Sequence, residues 1–143
     1  GVGGHCIPVD PWFLVEGFPD EAKIIEKARK VNLSKTDWVV NIIKKEIDCL
    51  LFKKPDLKVC FLGLSYKADS DDMRDSPSLK IVCKIAEYFN ASIYVIEPNI
   101  SEFKLDFPNV ELITNPSNIE RFDLVYELVS HKEFIGITKK RIF

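Results

Sequence analysis

One cysteine and one aspartate, four residues apart, stand in a run of glycines and prolines: Gly1-Val2-Gly3-Gly4-His5-Cys6-Ile7-Pro8-Val9-Asp10-Pro11-Trp12. Glycines let backbone N–H groups approach a ligand closely. A thiol on such a loop is accessible, and it reacts as the thiolate, which nearby cations and oriented N–H donors favour. Asp10 is near enough in sequence to orient a water or take a proton. The same composition also describes a Gly/Pro turn with a passive cysteine. His5 is a poor base for Cys6, because adjacent side chains usually point apart.

A second constellation runs from Gly63 to Pro77: Gly-Leu-Ser-Tyr-Lys-Ala-Asp-Ser-Asp-Asp-Met-Arg-Asp-Ser-Pro. It follows a strand pattern and leads into a helix N-terminus, a common place for an anion. It contains neither GxGxxG nor GxxxxGK[ST]. It offers Lys67 and Arg74 as cations among four aspartates, with Tyr66 as a stacking ring. The alternative is a solvated acidic loop with local ion pairs. Asp69, Asp71, Asp72 and Asp75 do not fall in calcium-loop register, so no metal site is expected. His131 reads as an ordinary surface-loop histidine.

Three stretches must position these groups. Residues 1–19 read as a binding loop. Residues 20–54 read as a central helical region, with Asp20 as N-cap and Pro55 as terminator. Its apolar positions are Ile24, Ala28, Val31, Trp38, Val39, Ile42, Ile43, Ile47 and Leu50, and residues 32–36 are a weak point where two helices can meet. A continuous helix there would span roughly 50 Å and suggests packing against a partner outside the chain. Residues 55–143 alternate strand and helix patterns: strands over 57–64, 92–96, 110–114 and 123–129, a helix from Ser76-Pro77, and a short helix over 116–121. This predicts an α/β fold with a Rossmann-like parallel sheet. The ligand crevice then lies at the carboxyl ends of the strands, where the loop over 63–75 sits. Residues 139–143 read as the start of another element, and both ends of the sequence read as cuts within a longer protein.

The 143 residues are 46% hydrophobic and 29% charged, a globular balance. A formal net charge of −2 without a basic stripe argues against nucleic-acid binding. No apolar run is long enough for a membrane span, and no signal-peptide pattern is present, which predicts a cytoplasmic protein. Of four cysteines, Cys49, Cys60 and Cys83 sit in apolar runs and read as small buried hydrophobes; no CxxC pair suggests zinc.

Together the two motifs resemble the UDP-sugar 6-dehydrogenases, NAD-dependent enzymes that oxidise a nucleotide-sugar alcohol to a uronic acid. Gly3 to Leu14 is similar to the UDP-N-acetylmannosamine dehydrogenase branch, through His5, Ile7 and Val9. Gly63 to Pro77 matches the C-terminal signature of Gly, aromatic-Lys and Asp-x-Arg-x-Ser-Pro. The resemblance implies that Cys6 is the nucleophile and Asp10 its assistant. It implies that Gly1, Val2, Gly3, Tyr66 and Lys67 hold the UDP-sugar. It implies that Cys6, Ile7, Pro8, Val9 and Arg74 border NAD, and that the central helix forms a homodimer. The chain would be a C-terminal portion, inactive alone, with a separate NAD-binding domain before it and a final strand after residue 143. Glu127 departs from the family's apolar strand pattern. Two other readings stand beside this one. The first is a non-catalytic nucleotide-binding or dimerisation module. The second is a relative of the 3-hydroxyacid dehydrogenases, which have no need of Cys6.

Overall fold

A computed structural model describes residues 1–100, 105–137 and 140–141. Helix α1 spans Asp10–Gly17 and helix α2 Lys23–Leu51. There follow β1 (Lys58–Leu62), α3 (Pro77–Tyr88), β2 (Ser92–Ile96), β3 (Val110–Ile113), β4 (Leu124–Glu127) and β5 (Lys140–Arg141). All neighbouring strands are parallel, in the order β3-β2-β1-β4-β5. The order reverses between β1 and β4, and in such sheets the crevice opens outside the carboxyl ends of those two strands. The α/β prediction holds.

Strands β1, β2 and β4 are largely buried because helices or turns cover both faces. On one face Val59, Phe61, Ile93, Val95 and Tyr126 pack with α2 and α3 through Val39, Ile43, Ile47, Val82 and Ile85. Phe61 and Tyr126 stack at 5.6 Å between ring centres. The Tyr126 hydroxyl donates to Glu46 on α2 at 2.8 Å, which ties the helix to the sheet. On the other face Cys60, Leu62 and Ile96 meet Phe122 and Phe134. Ser76 caps α3 by accepting from Leu79 N–H, with Pro77 at the first helical position, as expected.

Several expectations change. Residues 1–19 are not all loop: α1 forms because Cys6 O accepts the Val9 and Asp10 N–H groups at 2.9 and 2.8 Å, and Pro11 suits a first turn. It buries none of its residues, so it carries no amphipathic signature. Helix α2 is capped at Ala22, not Asp20, which instead pairs with Lys23. It is continuous through 32–36: Asn32 exchanges hydrogen bonds with the Val2 backbone, and the Ser34 hydroxyl donates to Val31 O. Apart from Arg29 its buried positions begin at Thr36, so Ile24 and Val31 are exposed, while Trp38, two residues beyond Thr36, points away from the core. Cys49 is also exposed, since two residues beyond Ile47 points to the opposite side of a helix. Cys83 is only half-buried. Cys60 is buried as expected, and burial pushes its thiol up to about 12. The start of an element expected over 139–143 is strand β5 at Lys140–Arg141; a strand after residue 143 lies outside the described residues. Among the described residues, no helix is long and apolar enough to cross a membrane.

Candidate active site

The Gly-rich segment lies directly on the loop over 63–77. Gly4 N–H donates to Arg74 O at 3.1 Å. A side chain on Gly3 would meet Asp75 O at 2.7 Å and the Pro77 ring at 2.6 Å. Gly4, at φ +106, lies against the Tyr66 ring, which a Cβ would reach at 3.0 Å. Gly is the residue that permits both this conformation and this approach. The two motifs read separately in the sequence therefore form one surface.

Arg74 organises its exposed edge. Its Nε donates to both Asp72 carboxylate oxygens and its Nη2 to Oδ2 at 2.6 Å, while Nη2 also lies 3.2 Å from His5 Nδ1. This forked pair holds the Asp72 carboxyl down at about 2. Arg74 is itself raised above its ordinary range, first by the Asp72 hydrogen bond and further by the Asp72 charge. Cys6 is exposed, as are Ile7 and Val9 beside it, whereas Pro8 is buried. Asp10 is exposed and linked to Cys6 through its backbone N–H. Lys67 is exposed, its ammonium 5.4 Å from the Tyr66 ring centre. A cavity of about 240 Å³ lies between Gly1, Lys35, Tyr66, Pro77 and Ser130. A larger groove of about 830 Å³, lined by Ile119, Phe122, Val125 and Gly136, holds none of the residues singled out by chemistry.

The carboxyl ends of β1, β2 and β4 converge beneath this surface on a polar cluster that the sequence did not announce. His131 is not a surface residue: it is 1% exposed, beside Glu97 and Ser65 at 0%. Its neighbours in sequence are polar, but the chain turns inward because Leu128 and Val129 N–H both bond Leu62 O. Glu97 Oε2 accepts from Leu64 N–H at 2.7 Å, Ser65 N–H at 3.2 Å and His131 Nε2 at 3.2 Å. Oε1 accepts from Asn99 N–H at 3.1 Å. Burial pushes the Glu97 carboxyl up, but donation from His131, Leu64 and Asn99 outweighs it, and the net direction is down. The one available signal was an acid at the carboxyl end of a buried parallel strand, where a charge must be paired.

That direction sets a pH dependence. A carboxyl lowered by folding contributes stability that is complete above its unfolded value and is lost as pH falls through its folded value. Glu97→Gln is therefore expected to flatten the acid side of a plot of unfolding free energy against pH, below about pH 4.5. At neutral pH it should cost roughly 1–3 kcal/mol, the loss of hydrogen bonds to a buried charged acceptor. An acid limb of unchanged slope in chemical denaturation would remove this role.

Residues 60–143 match the family model of the UDP-glucose/GDP-mannose dehydrogenase family, UDP binding domain. The chain is 45% identical over 145 residues to a UDP-N-acetyl-D-mannosamine dehydrogenase of Campylobacter jejuni, covering 99% of the chain and 35% of that protein. It is 39% identical over 142 residues to an NDP-N-acetyl-D-galactosaminuronic acid dehydrogenase of Ralstonia solanacearum, covering 99% and 33%. Its fold is similar to the crystal structure of an NDP-N-acetyl-D-galactosaminuronic acid dehydrogenase from Methanosarcina mazei, with a TM-score of 0.76 and 29% identity over 96% of this chain and 30% of that one. The chain thus spans about a third of the length of the curated relatives it matches. Motif, fold and similarity agree: the chain belongs to the UDP-glucose/GDP-mannose dehydrogenase family, through its UDP-binding domain.

Proposed function

We propose that this chain is the C-terminal part of an NAD-dependent UDP-N-acetyl-D-mannosamine 6-dehydrogenase, or of an enzyme for a closely related UDP-sugar. The observation that supports the reading is the docking of the segment that carries the exposed Cys6 against Tyr66, next to Lys67 in sequence, and against Arg74. Residues 1–19 carry the nucleophile, 20–54 the central helix and 55–143 the UDP-binding unit. Tyr66 offers a face to uracil or sugar, and Lys67 a point charge to the diphosphate. Gly1, Val2 and Gly3 line the sugar with backbone.

Cys6 supplies the covalent step. Its thiolate adds to the C6 aldehyde carbon, and the carbonyl oxygen takes a proton, giving a thiohemiacetal. Loss of hydride from that carbon and of the hydroxyl proton leaves a thioester. Water then adds, the thiolate leaves and the carboxylate is released. Asp10 assists the thiol or the water as a proton acceptor. Arg74 reaches toward NAD. NAD supplies the hydride acceptor for both oxidations. The exposed apolar edge of Ile7 and Val9, next to the exposed Arg74 cation, fits a ring bearing a diphosphate; buried Pro8 shapes that edge from behind. The hydride-acceptor domain falls outside this sequence in our reading, so the 143-residue chain alone should form no NADH. The exposed Ile24, Val31 and Trp38 on α2 support a homodimer through that helix. The enzyme works in the cytoplasm without membrane or nucleic acid, and its uronate serves polysaccharide biosynthesis.

Calorimetry with UDP tests the binding half. The full-length protein should bind UDP, and Lys67→Ala should weaken binding roughly 10- to 100-fold, as expected for one charge-assisted contact. Equal affinity in the variant would remove Lys67 from the site, and no binding to the unaltered protein would remove the reading.

A further inference from the structure

The buried polar cluster has a directional logic. Asp69 N–H donates to His131 Nδ1 at 2.9 Å. A backbone amide only donates, so Nδ1 carries a lone pair and the ring proton sits on Nε2. Nε2–H faces Glu97 Oε2 at 3.2 Å and Ser65 Oγ at 3.3 Å. The Ser65 hydroxyl in turn donates to Lys67 O at 2.7 Å. One neutral imidazole therefore joins two fixed points of the loop, residues 65–67 and residue 69, to the end of β2. Asp69 itself stands at φ +54, a left-handed conformation that a non-glycine residue keeps only when its surroundings hold it there. Its carboxylate accepts from Lys132 N–H at 3.0 Å, which closes the ring of contacts. Asp69, His131 and Glu133 also lie close enough to suggest a cation site. However, the imidazole nitrogen that would face a cation is already an acceptor for Asp69 N–H and lies 3.1 Å from Asn99 Nδ2.

We propose that His131 is a positioning residue: wedged between Glu97 and the Asp69 amide, it holds the loop over 64–69 in the shape that presents Tyr66 and Lys67 to UDP. This rests on the UDP-binding reading above and adds a residue that touches neither nucleotide nor sulfur. The loop has the geometry of a part set before the ligand arrives, and preorganisation of this kind raises affinity by removing an ordering cost.

Two substitutions separate the role from simple packing. His131→Asn places an amide oxygen where Nδ1 stands and keeps the Asp69 acceptor. His131→Gln places an amide nitrogen where Nε2 stands and keeps the Glu97 donor while losing the acceptor for Asp69. In the full-length protein without ligand, hydrogen exchange of peptides over 64–72 should speed up in His131→Gln and stay near the unaltered rate in His131→Asn. UDP affinity should follow, falling about tenfold or more in Gln and less than about threefold in Asn, the difference of one buried hydrogen bond. Melting temperatures of both variants are measured alongside. Loss of protection and affinity in both variants in step with melting temperature means a packing role and overturns the proposal. So does unchanged exchange in His131→Gln. Faster exchange with unchanged UDP affinity overturns the positioning claim as well. An unaltered protein that ignores UDP defeats the functional reading instead, and the exchange rates still report whether the imidazole pins the loop.

Discussion

Cys6→Ser in the full-length protein is expected to lower uronate formation by a factor on the order of 10⁴ or more, while leaving UDP affinity and melting temperature unchanged. The magnitude follows from removal of a nucleophile on which successive steps depend. A serine hydroxyl is almost wholly protonated at neutral pH and is a far weaker nucleophile than sulfur. An oxygen ester is also released by water more slowly than a thioester. The structure makes this substitution unusually clean. The Cys6 side chain is exposed, and it is the carbonyl oxygen of Cys6, retained in serine, that accepts the Val9 and Asp10 N–H groups and starts α1. No packing is lost, so a loss of turnover reports chemistry. The measurement is uronate by mass spectrometry and NADH by absorbance under saturating substrate. Acid formation at the unaltered rate would eliminate the thioester route. Alkylation of Cys6 by iodoacetamide, compared with Cys49, adds a second readout. Both thiols are exposed, so exposure alone predicts similar rates, and faster labelling of Cys6 is the result expected of a nucleophile.

What the sequence revealed and what it concealed divide along a physical line. Short-range rules found β2 over Ser92–Ile96 and the Ser76-Pro77 start of α3, because apolar runs and caps act within a few residues. Motif chemistry singled out Cys6, Tyr66, Lys67 and Arg74, and Gly3 and Gly4 let the first segment touch the second at Tyr66 and Arg74. The concealed parts depend on distant partners. Ser65, Glu97 and His131 come from three different loops, and only the parallel order β2-β1-β4 brings them together. Ser130-His131-Lys132-Glu133 has the polarity of a solvated turn, and nothing local tells that Leu62 O draws the chain inward. The weak point over 32–36 does not interrupt α2 for a similar reason, since the Asn32 side chain is occupied by the Val2 backbone and does not compete with the helix. Glu127 breaks the apolar pattern of its strand yet is accommodated, 5% exposed, next to the two-residue β5.

Gly63→Ala is the substitution expected to harm the fold most for a single added methyl group. Gly63 ends β1 at φ +88, and its N–H donates to Ile96 O at 2.9 Å, so the backbone cannot rotate away without breaking the link to β2. A left-handed conformation costs a non-glycine residue about 1–2 kcal/mol. The new Cβ would also lie 2.5 Å from Val129 Cβ and 3.0 Å from Val129 O. Val129 cannot retreat freely, because its N–H is bonded to Leu62 O at 3.1 Å and it leads directly into His131. Overpacking of this kind adds roughly 1–3 kcal/mol. The sum, about 2–5 kcal/mol, is a large share of the stability of a domain this size. It should appear as a lower midpoint in guanidinium unfolding with little change in slope. The relief available to the chain is to push the segment over 128–131 away from β1, which lengthens the contacts of His131 with Glu97 and Ser65. Gly63→Ala should therefore raise hydrogen exchange over 64–72 even at temperatures where the protein remains folded. Gly136→Ala is the control: Gly136 has φ +83 but open space around its Cβ position, so it isolates the conformational cost from the collision. Equal destabilisation by the two substitutions would show that the close approach of Val129 to Gly63 contributes nothing, and that the ends of β1 and β4 are not held at the spacing on which the nucleotide loop depends.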